Sequence, residues 1–133
     1  MAVLQVYLAN ITKAERDADG DLIVTGKATG PDLDSDSQIC DPEWLKTAMP
    51  AWMKWGNLRE MHQPIAAGIG LELEADGDSW NLRSQVVDAN TIKKIEAKVL
   101  KGYSIGIKSP RVVKDAAAKG GRIVGGEKLK SAM

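Results

Sequence analysis

Residues Lys101-Gly102-Tyr103-Ser104-Ile105-Gly106-Ile107 read KGYSIGI, and the reading of Ser104 decides the fold. Gly102 to Gly106 satisfies G-x-S-x-G, the strand–turn–helix elbow that presents a nucleophilic serine on a doubly wound α/β sheet. The surroundings contradict that assignment. Asp88 to Lys101 carries Ile92, Ile95, Val99 and Leu100 at helical spacing, with Gly102 where a C-terminal cap belongs. The helix therefore precedes the serine, and Tyr103 to Val113 follows as a strand. The single histidine, His62, lies upstream, whereas a triad histidine of that fold comes after its serine. A chain of 133 residues is also short for such a sheet. Ser104 is a strand serine in a different architecture.

On either side of this stretch the chain breaks into many short β-prone runs. Val3 to Ala9 and Leu22 to Thr29 flank a polar turn containing Asp19-Gly20, a hairpin signal. Gly30 to Cys40 is an Asp- and Ser-rich loop. Asp41-Pro42-Glu43-Trp44 starts a helix, with Asp41 as N-cap and Pro42 in the first turn. That helix carries Trp44, Leu45, Ala48, Met49, Trp52 and Met53, and Pro50 is expected to kink or break it. Leu58 to Met61 and Ala66 to Leu73 read as strands with His62-Gln63-Pro64 between them. Asp76-Gly77 turns into a strand over Ser79 to Val87, Asp115 to Gly121 is a small-residue loop, and Arg122 to Glu127 starts a last strand. The sum is a mostly antiparallel barrel or sandwich with two helices, in one domain over residues 1–127, followed by a tail, 128–133.

Composition excludes several functions. Lys plus Arg equals Asp plus Glu at 18 each, so no net field draws the protein to nucleic acid or anionic lipid. The apolar runs are too short to span a bilayer, and no leader is recognisable, so a reducing cytosol is the expected compartment. One cysteine and one histidine leave no Cys-rich or His-based metal cluster, and no cofactor is expected. Asp32, Asp34 and Asp36 alternate, with Glu43 at position twelve, as in a calcium loop. Ser37 stands where that loop needs glycine, and a solvated loop is the expected outcome. With no Phe in the chain, the Trp and Met residues of the first helix are expected to form its buried face, leaving Trp55 exposed.

A serine hydroxyl becomes a nucleophile when a base takes its proton, and histidine has a suitable pKa. On a strand, Tyr103, Ile105 and Ile107 face one side, and Ser104, Gly106 and Lys108 the other. Gly106 leaves room beside the hydroxyl, and the strand ending at Met61 supplies a rigid mount for His62. The residues alone leave two readings: a Ser104–His62 pair, or a strand serine and a surface histidine.

The order of elements resembles the prohead (capsid maturation) proteases of tailed phages, relatives of the herpesvirus assemblins. The likeness rests on PDLDSDSQICDPEWLKTAMPAWM, on NLREMHQPIAAGIGLELEADG, where a histidine is soon followed by Ile-Gly, and on VVDANTIKKIEAKVLKGYSIGIKSP, with its G-x-S-I-G after a helix. It spans about Val3 to Glu127. It implies a mostly β (α+β) fold, an antiparallel β-barrel flanked by helices, and a serine endopeptidase with Ser104 as nucleophile and His62 as general base. The implied substrates are the phage scaffold, the scaffolding segment of the major capsid protein and the protease itself, inside the assembling prohead in the host bacterial cytoplasm. Homodimerisation is implied by analogy with assemblins. Backbone N–H groups would stabilise the oxyanion, and Arg111 and Arg122 are the basic candidates for assisting them.

The ending departs from the pattern. Assemblins orient the base with a second histidine, absent here, and phage relatives continue Gly-Gly-Glu into a strand with an acidic residue. Gly125-Gly126-Glu127 matches the start, but Lys130 stands where the acid is expected. Glu127 is the candidate third member. The alternative that follows is a non-catalytic capsid-assembly or scaffold-binding protein on the same fold.

Overall fold

Alternating apolar residues in the runs on either side of Asp19-Gly20 pair into the first hairpin, and successive hairpins wrap the sheet into a barrel. A computed structural model of the chain describes residues 3–31, 37–126 and 128–132. The strands are β1 (Val3–Arg16), β2 (Leu22–Thr29), β3 (Gln38–Cys40), β4 (Asn57–Arg59), β5 (Ala66–Asp76), β6 (Ser79–Val86), β7 (Gly102–Lys108), β8 (Arg111–Asp115), β9 (Ala118–Gly125) and β10 (Lys128–Ala132). The helices are α1 (Pro42–Met53) and α2 (Ala89–Glu96).

The barrel runs β1-β2-β6-β5-β4-β10-β7 and closes by pairing β7 with β1; β3-β9-β8 form a second, three-stranded sheet. All barrel pairings are antiparallel except β4–β10, which is parallel and holds only Ser131 against Leu58 and Ala132 against Arg59. Closure leaves the sheet no long unpaired edge. The core is filled by Leu22, Val24, Leu58, Leu82, Ile105 and Ile107, against which α1 sets Leu45, Met49 and Trp52. Within it, the Tyr103 hydroxyl donates to the Val24 carbonyl at 3.0 Å and lies 2.5 Å from Ser84 Oγ. Burial pushes the phenol pKa upward, so Tyr103 stays a neutral donor. The strand carrying Ser104 is thereby pinned on its core face.

The barrel with two helices is as expected, and so are the Asp41 cap, which accepts from Trp44 N–H at 3.2 Å, and exposed Trp55. Several local expectations are corrected. The Trp/Met helix does not break at Pro50 but runs to Met53. Pro50 removes one bond in the last turns, and burial of Met49 and Trp52 on either side outweighs it. The stop is Gly56, in the left-handed region at φ 63°, whose N–H donates to the Trp52 carbonyl. The second helix ends at Glu96, short of Lys101, with Lys98 rather than Gly102 in the left-handed conformation. Gly102 instead opens β7, opposite Asn10. Leaving the helix early lets Leu100 drop into the core. Tyr103 to Val113 is two strands, divided at Ser109-Pro110. Gln38–Cys40, read as loop, pairs in parallel with β9, and much of the loop expected over Asp115 to Gly121 belongs to that strand.

The largest correction concerns residues 128–132. Expected as a tail, they form the strand that sits between β7 and β4 and closes the barrel.

Candidate active site

β7 presents Ser104 on the face opposite Tyr103, Ile105 and Ile107, as strand alternation requires, with Tyr7 of β1 and Ala132 of β10 as its neighbours in register. His62 comes from the connection between β4 and β5. Arg59 pairs with Ala66, and the residues between them form the tip of a hairpin. The expected strand over Leu58 to Met61 ends at Arg59. Glu60 then opens a tight turn: its carbonyl accepts from Gln63 N–H at 2.9 Å, with Met61 at φ 48° and His62 at φ 59°. Two successive left-handed residues make this a type I′-like turn, ordinarily the place of Asn and Gly. For side chains such as Met and His that backbone costs about 1–2 kcal/mol each. Backbone strain of this kind is a recurrent mark of functional sites.

The turn brings the two candidates together. His62 Nε2 lies 2.7 Å from Ser104 Oγ, within the range of a nucleophile–base hydrogen bond. The strands that carry them are not adjacent, since β10 runs between β4 and β7. At the end of β10 Ala132 faces Arg59 on one side and Ser104 on the other. Cross-strand neighbours share a face, so the small Ala132 lies on the same face as Ser104 and Arg59. Ser104 is fully buried, and the half-buried His62 is its link to the surface.

The electrostatics favour a base. Burial, and then the positive charges of Arg59 and Lys130, hold the His62 pKa below its ordinary 6.5. The neutral imidazole is thereby favoured at physiological pH, the form that can accept a hydroxyl proton. A rate that depends on this neutral ring rises with pH through the depressed pKa. Removing one nearby cation makes protonation easier, so Lys130→Gln moves the acid limb to higher pH. A pH–rate profile of the two proteins, read for the midpoint, checks this; an unmoved midpoint refutes it.

A groove of about 400 Å³ runs between α1 and the β4–β10 junction, lined by Trp44, Trp52, Trp55, Arg59, Leu129 and Lys130 among others. Arg59 and Lys130, whose charges act on the imidazole, also line this groove, while Ser104 and His62 do not. Apolar walls with a few polar groups suit an extended peptide.

The remaining candidates are dispersed. Glu127 and the Asp32, Asp34 and Asp36 of the calcium-like pattern lie outside the described residues. Glu43 pairs with Lys46 at 2.8 Å on the first turn of α1. Arg122 is committed to structure, donating to Asp115 at 2.8 Å and Asp41 at 3.0 Å. Arg111 on β8 lies against Gly125. Nothing in the sequence singles out Arg59 or Ala132, or gives Lys130 a place beside the histidine. Only the pairing of β10 between β4 and β7 reveals these roles, and KLKSA is too short and too polar to signal that pairing.

No protein-family model matches the sequence, and no curated protein matches it in sequence. Among solved structures, the chain is similar to the bacteriophage T4 capsid assembly protease, gp21. The TM-score is 0.74 at 14% identity, over 98% of this chain and 97% of that one. The two share a fold over nearly their whole lengths.

Proposed function

We propose that a chain with the fold of a phage capsid assembly protease, and with His62 Nε2 2.7 Å from Ser104 Oγ, is a serine endopeptidase of capsid maturation. The hydrogen bond between these two side chains carries the reading. A strand serine and a surface histidine with no common task have no reason to meet across an intervening strand, at the tip of a strained turn.

In the reaction, Ser104 Oγ attacks the scissile carbonyl carbon while its proton passes to His62 Nε2. The tetrahedral intermediate collapses as His62 gives that proton to the leaving amine nitrogen, and the C–N bond breaks to leave an acyl ester on Ser104. A water molecule, deprotonated by the same nitrogen, then attacks the ester; the C–O bond to Ser104 breaks, His62 returns the proton to Ser104 Oγ, and the acid is released. Backbone N–H groups stabilise the developing oxyanion. Neutral His62 is the form this sequence of steps needs at the start, and its depressed pKa supports the role. Glu127 is proposed as the carboxylate that orients the ring.

The substrates proposed are the scaffold and the scaffolding segment of the major capsid protein, with self-cleavage in addition, inside the assembling prohead. An extended segment of such a protein suits the Trp-lined groove between α1 and the β4–β10 junction. Co-expression of the chain with a scaffold protein tests the proposal. Processing that is lost on His62→Ala supports it; intact scaffold with the wild type, or processing unchanged by the substitution, contradicts it.

A further inference from the structure

Glu60 is the one buried charged side chain among the described residues. Its carboxylate points to α2, where Lys94 Nζ donates to both oxygens at 3.0 and 2.9 Å. The Thr91 hydroxyl stands 3.1 Å from Oε1, and 2.7 Å from the Asp88 carboxylate that caps the helix. Burying a carboxylate carries a desolvation cost that an apolar residue in the same space would avoid. What the pair adds is direction. A carboxylate held on two oxygens fixes the residue that bears it far more tightly than an apolar contact does.

That residue is the first of the His62 turn. The Glu60 carbonyl accepts from Gln63 N–H, and its N–H donates to the Ile65 carbonyl at 3.2 Å. Its main chain thus belongs to the turn and its side chain to α2. The next two residues, Met61 and His62, are left-handed without being Gly or Asn. Met61 is 50% exposed, so its side chain does little to hold that backbone in place. The ion pair ties the turn to α2. α2 leads within a few residues into β7, so one helix locates both members of the pair: Ser104 through the chain and His62 through Glu60.

We infer that Glu60, clamped by Lys94 and Thr91, is a positioning residue that holds the strained turn so that His62 Nε2 stays on Ser104 Oγ. This rests on the proposed serine chemistry for its consequence in rate, though not for its geometry. Loosening the clamp lets Met61 and His62 relax toward ordinary backbone and swings the ring off the hydroxyl. A displacement of about 1 Å is enough to slow such a reaction roughly 100-fold.

The experiment uses the full chain, with Glu60→Gln, Lys94→Met, Lys94→Arg, and Met61→Gly in the Glu60→Gln background. Lys94 is 45% exposed on its side chain, and a thermal melt of each variant separates loss of the fold from loss of the turn's position. Two readouts are taken: the rate at which a fluorophosphonate modifies Ser104, and the NMR titration of the single histidine. Glu60→Gln and Lys94→Met are expected to slow modification roughly 10- to 100-fold, and to raise the His62 midpoint as the ring leaves its half-buried seat. Lys94→Arg keeps the pair and the rate. Glycine at 61 tolerates the left-handed backbone and restores much of what Glu60→Gln loses, which a merely structural ion pair would not show. Wild-type rate and midpoint in both weakened variants overturn the inference. Faster modification also overturns it, because the turn would then be a cover over Ser104 rather than a mount for its base. A wild type that does not react, yet whose His62 midpoint moves in both variants, removes the protease reading and leaves the clamp standing.

Discussion

Ser104→Ala is expected to abolish processing of a co-expressed scaffold, with a loss of at least about a thousandfold, while the barrel folds as before. The size follows from the role: when the nucleophile of a serine protease is removed, what remains is the small catalysis of binding and oxyanion stabilisation. The intact fold follows from the site. Alanine keeps the Cβ and removes one hydroxyl whose partner is His62. The Tyr103–Val24–Ser84 hydrogen bonds that pin β7 lie on its other face and are untouched. Stability should therefore change by only about 1 kcal/mol. Gel analysis of the scaffold beside a thermal melt of the purified chain separates the two effects. Retained processing with an unchanged melt would show that Ser104 is not the nucleophile.

Gly68→Ala is expected to do the reverse, damaging the fold and, through it, the site. Gly68 pairs with Val86 on one side of β5 and with Leu58 on the other. A Cβ at this position collides with the Gln85 carbonyl oxygen and comes 2.9 Å from Val86 Cα, both of them backbone. A side chain can rotate away, but a paired strand cannot, so β5 and β6 must separate. The carbonyl of Ala67 accepts from Val87 and Asp88 N–H at 2.8 and 3.1 Å, so the start of α2 moves with them. Overpacking of this kind costs about 3 kcal/mol, or roughly 10 °C of melting temperature for a chain of this size. The displaced hairpin is the one that carries His62, so processing should fall as well. A melt within a degree or two of wild type would show that the strands have more slack than this packing allows.

The alternation of Tyr103, Ile105 and Ile107 against Ser104 is a period-two signal, so the serine's strand and the face it takes are legible in the sequence. His62 is legible as the only histidine that could serve as base. What local patterning does not encode is the pairing between distant strands. Lys128–Ala132 sets the buried Leu129 and Ser131 among lysines, and its place in the barrel depends on β7 and β4, which lie far away in sequence. The consequences for the site, Ala132 opposite Ser104 and the charge of Lys130 acting on His62, are hidden for the same reason. The left-handed turn at Met61-His62 is hidden differently. Neither residue favours that backbone, and it is held by Glu60 reaching α2, a contact across 34 positions. The helix ends depart from the pattern where burial overrides periodicity: Leu100 continues the helical spacing but reaches the core only because the chain leaves the helix first.

An activated Ser104 is tested most directly by intact-mass and peptide-mapped labelling of the purified chain with a fluorophosphonate, at pH values above and below the ordinary histidine range. A single adduct is expected, on Ser104, absent in Ser104→Ala, strongly slowed in His62→Ala, and slower in the wild type as His62 takes up a proton. An adduct on another serine, or a chain that stays unmodified across the whole pH range, would contradict it.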